Sequence, residues 1–132
     1  MNKKGFTLVE LIATIVVLGV ILTIAVPSYN IYIEKTKESK CNADKRAILD
    51  ASKAFVSDCI VKNKCATNYD LSSYVTATPR LQISDLIDKG FLNNDYSKYK
   101  LLKIKITGEV NSGITDYSYK LENDAQFTSI CK

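Results

Sequence analysis

The 132-residue chain contains no histidine. That absence removes the commonest general base and the commonest zinc ligand, and no other nucleophile-and-base constellation replaces it. A membrane-anchored enzyme is therefore disfavoured; no catalytic residue, cofactor or metal ion is expected. The chain also lacks a G-x-x-x-x-G-K-S/T loop, so it has no phosphate cradle with which to draw work from a nucleotide. Charge of one sign is scarce: the formal net charge is +4, and Lys3 and Lys4 supply half of it. The remainder is spread too thinly for the electrostatic footprint of a nucleic-acid binder. The length has room for one compact domain and one extended element.

The four cysteines, Cys41, Cys59, Cys65 and Cys131, lack the paired C-x-x-C spacing of a zinc site. Their even number suits disulfides formed outside the cytosol, with buried free thiols as the alternative.

An apolar run occupies residues 6–26, "FTLVELIATIVVLGVILTIAV", and its single charge is Glu10. As a helix it would reach about 30 Å, the thickness of a bilayer core. Lys3 and Lys4 precede it, so the positive-inside rule puts the N-terminus in the cytoplasm and everything beyond Pro27 outside, in agreement with the cysteines. A secretory signal would have a shorter core and a small-residue cleavage site, and neither is present. A carboxylate in a membrane helix is costly unless neutralised or paired, which makes Glu10 a functional-site candidate. Its own segment offers no evident partner; protonation or the helix dipole is the plainer account.

The junction "KKGFTLVELI" resembles the leader and cleavage site of type IV pilins and the related pseudopilins: a short basic leader, Gly, Phe, and a Glu four residues beyond the Phe. The resemblance implies a prepilin peptidase that cuts after Gly5 and methylates the new amine on Phe6. It also implies that Glu10 of one subunit pairs with that amine on its neighbour inside a bundle of helices. Such a buried pair adds little net stability, but misregister strands a charge at about 3–5 kcal/mol, so pairing would fix the assembly register. Pro27 matches the proline that bends the family's long helix. It lacks an amide hydrogen and is expected to kink or locally melt the helix over 23–29, with Gly19 as a second soft point.

The expected fold is α+β, a long N-terminal helix packed against a small antiparallel β-sheet. Its organisation is a leader over 1–5, an apolar transmembrane and assembly helix over 6–27, an amphipathic continuation over 28–62, and a head over 63–132. In the continuation, Ala43, Ala47, Ile48, Ala51, Ala54, Phe55 and Cys59 recur at helical spacing as a core face. Lys45, Arg46, Asp50, Lys53 and Ser57 take the other side. Glu34, Lys35, Lys37, Glu38 and Lys40 form a mixed-sign stretch that reads as a solvated or intersubunit face.

Residues 63–79 read as a polar loop of the kind that carries specificity. In "ISDLIDKGFL", Ser84 is a candidate N-cap and Gly90 a helix stop. Strands are expected where Leu102, Ile104 and Ile106 alternate with Lys103, Lys105 and Thr107, and where Tyr117, Tyr119 and Leu121 alternate with Ser118, Lys120 and Glu122. "GEVNSG" would connect them, and "AQFTSIC" is expected as a third strand. On one continuous helix Cys41 and Cys59 would stand about 27 Å apart and cannot be joined. Of the two complete pairings left, Cys59 with Cys65 and Cys41 with Cys131 asks less of the chain than the crossed alternative.

The resemblance implies a structural subunit of a type IV pilus that polymerises into a filament with copies of itself and other pilins. The pseudopilin of a type II secretion system or a competence pilin is the alternative, although no counterpart of the secretion pseudopilin's calcium loop is found. The implied partners are the prepilin peptidase, an inner-membrane platform protein and a cytoplasmic assembly ATPase. The implied location is the cytoplasmic membrane as a single-pass precursor, then an extracellular pilus. DNA binding through Lys98, Lys100, Lys103 and Lys105 is a lesser possibility, because strand lysines also guard sheet edges.

Overall fold

A computed structural model describes residues 5–63, 65, 71–75, 81–112 and 114–132. The basic leader residues Lys3 and Lys4, most of the specificity-bearing loop expected over 63–79, and Gly113 lie outside the described residues. The chain divides into two compact units, Met1–Glu38 and Ser39–Lys132.

The first unit belongs to one helix, α1 (Leu8–Lys62), which continues into the second unit. Every described residue from Gly5 to Glu38 is exposed except the half-buried Ile33. The local melting expected around Pro27 does not occur, because α1 runs unbroken through both Gly19 and Pro27. One missing amide removes one rung, and the hydrogen bonds on either side carry the helix across the gap. The Ser28 hydroxyl donates to the Ile24 carbonyl at 3.1 Å beside it.

In the second unit, α1 buries Cys41, Ile48, Ala51, Ser52, Phe55, Val56 and Cys59. The helical face was legible in outline, but Ala43 and Ala54 are exposed, and Ser52 and Val56 take inner places. Alanine fits both sides of a helix, so its spacing alone does not orient the face. Ser52 is accommodated because its hydroxyl donates to the Ile48 carbonyl at 2.8 Å, which satisfies the buried group. The helix ends where Asn63 enters the left-handed region at φ 52° and its amide donates to the Ile60 carbonyl. Asparagine tolerates that conformation better than most side chains.

A short helix, α2 (Leu71–Tyr74), places Tyr74 edge-on to Phe55, with ring centroids 5.2 Å apart. Strand β1 (Leu81–Gln82) then leads directly into α3 (Ile83–Asp88). Gln82, not Ser84, is the N-cap residue, and its amide donates to the Asp85 carboxylate at 3.1 Å. Ser84 already lies within the first turn, where its hydroxyl donates to the Gln82 side chain. At the other end Gly90 adopts φ 80° and donates to the Ile87 carbonyl, while Phe91 donates to the Leu86 carbonyl at 2.8 Å. This paired closure needs a left-handed residue, which is why glycine stops the helix here. A 3-10 helix over Asn94–Tyr99 follows.

The sheet is antiparallel, in the order β1-β2-β3, with β2 at Lys103–Asn111 and β3 at Ile114–Leu121. Ile104 opposes Leu121, Ile106 opposes Tyr119, and Gly108 opposes Tyr117 on the inner face, as the alternation predicts. A side chain at 108 would stand 3.2 Å from Val75 and 3.4 Å from the Tyr117 ring, so those side chains would have to give way by a few tenths of an ångström to admit one. Most of the expected connection "GEVNSG" is strand, because Asn111 pairs with Ile114 and leaves only Ser112 and Gly113 between them. Ser112 has φ 53°, the left-handed twist that tight hairpins need.

The third strand is β1, and the segment expected to supply it, "AQFTSIC", lies in the helix α4 (Asp124–Cys131). Phe127, Ile130 and Cys131 recur at helical steps. Tertiary packing holds that period: Phe127 is buried and stacks on Tyr99 at 4.7 Å between ring centroids. The architecture is α+β, with the C-terminal part of α1 and the three-stranded sheet sharing one core.

Candidate assembly site on the N-terminal helix

Gly5 and Phe6 precede the helix, and a side chain at Gly5 would meet nothing within 4 Å. The same is true of Gly19. Neither glycine has a packing reason within this chain.

The helix starts on a reciprocal capping pair. The Thr7 amide donates to Glu10 Oε2 at 3.0 Å, and the Glu10 amide donates to Thr7 Oγ1 at 3.3 Å. Two of the helix's orphan donors are thereby satisfied, and the carboxylate stands where the helix dipole favours negative charge. The view that Glu10 has no partner in its own segment is corrected here. The signal was present as T-x-x-E, "TLVE", just before an apolar run, and Thr7 is the residue that sequence reasoning missed.

Beyond Glu10 the helix is long and apolar enough to cross a membrane, with mean hydropathy 2.7 in its best window and none of that window buried. Its hydroxyls are satisfied locally: Thr14 donates to the Leu11 carbonyl and Thr23 to the Val20 carbonyl, both at 2.7 Å. Polar side chains that bond back to their own helix can enter an apolar medium without stranded donors. Leu8 to Val26 present large aliphatic side chains on every side, Leu18 at 57% exposure among them. A helix apolar all round calls for an apolar environment, and none of the described residues covers this one. Farther along, none of Glu34, Lys35, Lys37, Glu38 and Lys40 forms an ion pair among the described residues.

The second unit is fastened around α1. Cys41 and Cys131 are joined across 90 residues, and Cys59 and Cys65 across 6, the pairing that helix geometry favoured. The first bridge ties α4 to α1, and the Lys45 ammonium meets the Asp124 carboxylate at 2.7 Å near it. This exposed pair contributes at most about 1 kcal/mol. Tyr99 is fully buried and donates its hydroxyl to Asp44 on α1 at 2.8 Å. Burial first, and then the bond to Asp44, push the Tyr99 phenol well above its ordinary value. Lys98 lies over the Tyr99 ring at 4.7 Å and approaches Asp44 at 3.7 Å. Among the described residues no group of acidic or cysteine side chains is arranged to hold a metal ion.

An exposed apolar helix capped by a single carboxylate runs into a disulfide-fastened α+β unit. Residues 1–26 match the family described as the prokaryotic N-terminal methylation motif. The chain is 29% identical over 114 residues to the type IV major fimbrial protein FimA of Dichelobacter nodosus, an alignment covering 86% of this chain and 59% of that protein. It is 28% identical over 123 residues to the type IV major alpha-pilin of Moraxella bovis, covering 93% of this chain and 71% of the relative. The type IV major pilin protein PilA of Myxococcus xanthus is 31% identical over 57 residues, covering 43% and 26%. No solved structure gives a significant match. The chain thus spans 59% of the length of the FimA protein it matches. In motif, fold and relatives the chain is similar to the type IV pilins.

Proposed function

We propose that this chain is a structural subunit of a type IV pilus. The prepilin peptidase cuts after Gly5 and methylates Phe6, and the subunit then polymerises through the apolar half of α1. The observation that carries this reading is the coincidence of the methylation motif with a helix whose large apolar side chains from Leu8 to Val26 are all exposed. Before assembly the apolar segment sits in the cytoplasmic membrane; afterwards it lies in the filament core, and the disulfide-bonded unit faces outward. The names of the relatives, major fimbrial protein and major pilin, favour a surface pilus over a secretion pseudopilus. Movement of subunits is left to a platform protein and a cytoplasmic ATPase.

Glu10 has two tasks in this scheme. Cleavage after Gly5 leaves the Thr7 amide in place, so the cap survives, and it creates a cationic amine on Phe6. The carboxylate pairs with that amine on a neighbouring subunit, and a subunit out of register would strand a charge in an apolar bundle. Gly19 and Pro27 are the points where the packed helix bends.

The test is mass spectrometry of the N-terminus in filaments sheared from producing cells, compared with the membrane fraction. Chains beginning at methylated Phe6 in the sheared material are expected. Chains beginning at Met1 and confined to membranes, in cells with an active peptidase, would reject the proposal.

A further inference from the structure

The outer face of the β2-β3 hairpin carries an unusual charge order. Lys105 stands directly opposite Lys120, Thr107 opposite Ser118, and Glu109 opposite Asp116. The like-charged pairs lie two residues to either side of the hydroxyl pair, so about 13 Å separates the basic end from the acidic end. Like charges directly opposite each other on a sheet are unfavourable. Neither pair is relieved within the chain, because none of the four side chains forms an ion pair among the described residues. Thr107 and Ser118 at the centre hydrogen-bond to each other. Glu109, Asp116, Ser118 and Lys120 are exposed, and Lys105 and Thr107 are half-buried.

We propose that this face docks the same face of a second copy of the chain. A polyanion would be attracted to the lysine pair and repelled by the acidic pair, and a polycation would meet the reverse. A partner with both signs at the same spacing satisfies all four groups, and the face is its own complement. The two copies lie face to face about a twofold axis that runs across the strands at the level of Thr107 and Ser118. This operation reverses the strand direction, so Lys105 meets Glu109 of the second copy and Lys120 meets its Asp116. By symmetry the contacts are made twice, and four ion pairs replace four like-charge repulsions. The contact uses no residue of the apolar helix and stands independently of the pilus assignment.

The test uses the full chain in detergent micelles, as an equal mixture of natural-abundance and heavy-nitrogen-labelled protein treated with a zero-length carbodiimide. Cross-linked peptides of mixed isotope, joining Lys105 to Glu109 and Lys120 to Asp116, are expected at low salt. Their yield should fall at least about tenfold at high salt, because exposed charges are screened. Two double variants sharpen the result, Lys105→Glu with Lys120→Glu and Glu109→Lys with Asp116→Lys. Each alone should lose the salt-sensitive self-association seen by sedimentation, and mixing the two should restore it, which also shows that both are folded. The proposal is overturned if mixed-isotope links are absent, if either variant alone associates like the parent, or if mixing restores nothing. It is equally overturned if a short DNA duplex binds through the lysines while no link between copies forms.

Discussion

The two parts of α1 have opposite relations to their own apolar side chains. From Leu8 to Val26 the large aliphatic residues are all exposed, whereas from Cys41 to Cys59 the helix buries a continuous face in a core shared with the sheet. Secondary structure is the same in both, so helix formation does not distinguish them. The difference lies in where the partner surface comes from. The second part finds it in residues up to 90 positions away in the chain, and the first finds none among the described residues. Under the function proposed above, lipid and then other subunits cover this apolar surface.

The largest test of this contrast is the disulfide that holds the second part. Removing the Cys41–Cys131 bridge by a double serine substitution should lower stability by about 4–5 kcal/mol in the chain-entropy picture, against about 2 kcal/mol for Cys59–Cys65, whose loop is far shorter. Denaturant melting of the full chain in micelles would measure both; equal losses would mean that strain or unfolded-state structure outweighs loop length.

A matched pair of truncations probes the same helix on both sides of the division. Phe55→Ala, in the core between Tyr74 and Phe91, should cost about 3–5 kcal/mol. Leu18→Ala should change the same melting midpoint by no more than about 0.5 kcal/mol, and should instead reduce the filament recovered by shearing. A Leu18 variant that destabilised the monomer as Phe55 does would abolish the distinction.

Tyr99 gives the second part a pH dependence. Burial and the Asp44 bond raise its phenol above the ordinary value of 10.0, and burial also raises Tyr119. Above that value the unfolded chain has released a proton that the folded chain still holds, so stability is full below about pH 10 and falls as pH rises further. Tyr99→Phe should cost about 1–2 kcal/mol at neutral pH through the lost hydrogen bond, and should flatten the alkaline decline. Melting at stepped pH would show it; an unchanged alkaline slope would assign the effect elsewhere.

The smallest effect is expected at the helix start, where Thr7→Ala should cost about 1 kcal/mol of local helix stability without moving the core's melting midpoint. Amide exchange at residues 8–11 is the suitable measurement, since faster exchange there and nowhere else would isolate the cap.

The sequence by itself determined the features whose signal is local or combinatorial. The uninterrupted apolar run, the "GFTLVE" junction, the alternation of β2 and β3, and the glycine stop at Gly90 can each be read from neighbouring residues, because their periods and backbone requirements are short-range. The disulfide pairing was legible too, since a rigid helix excludes Cys41–Cys59 on distance and, of the two pairings left, the short loop from Cys59 to Cys65 asks less of the chain. Tertiary structure decided the rest. Phe127 could have alternated in a strand, and stacking on Tyr99 made its segment a helix. Leu81 and Gln82 are too few to announce a strand, and pairing with Lys103 and Ile104 made them one. Ala43, Ala54 and Ser52 could face either way until the sheet and α4 chose the buried side of α1. Short segments and small side chains carry little directional information of their own, and distant partners supply it through burial. The apolar half of α1 has no such partner among the described residues, which is why its sequence was enough to describe it.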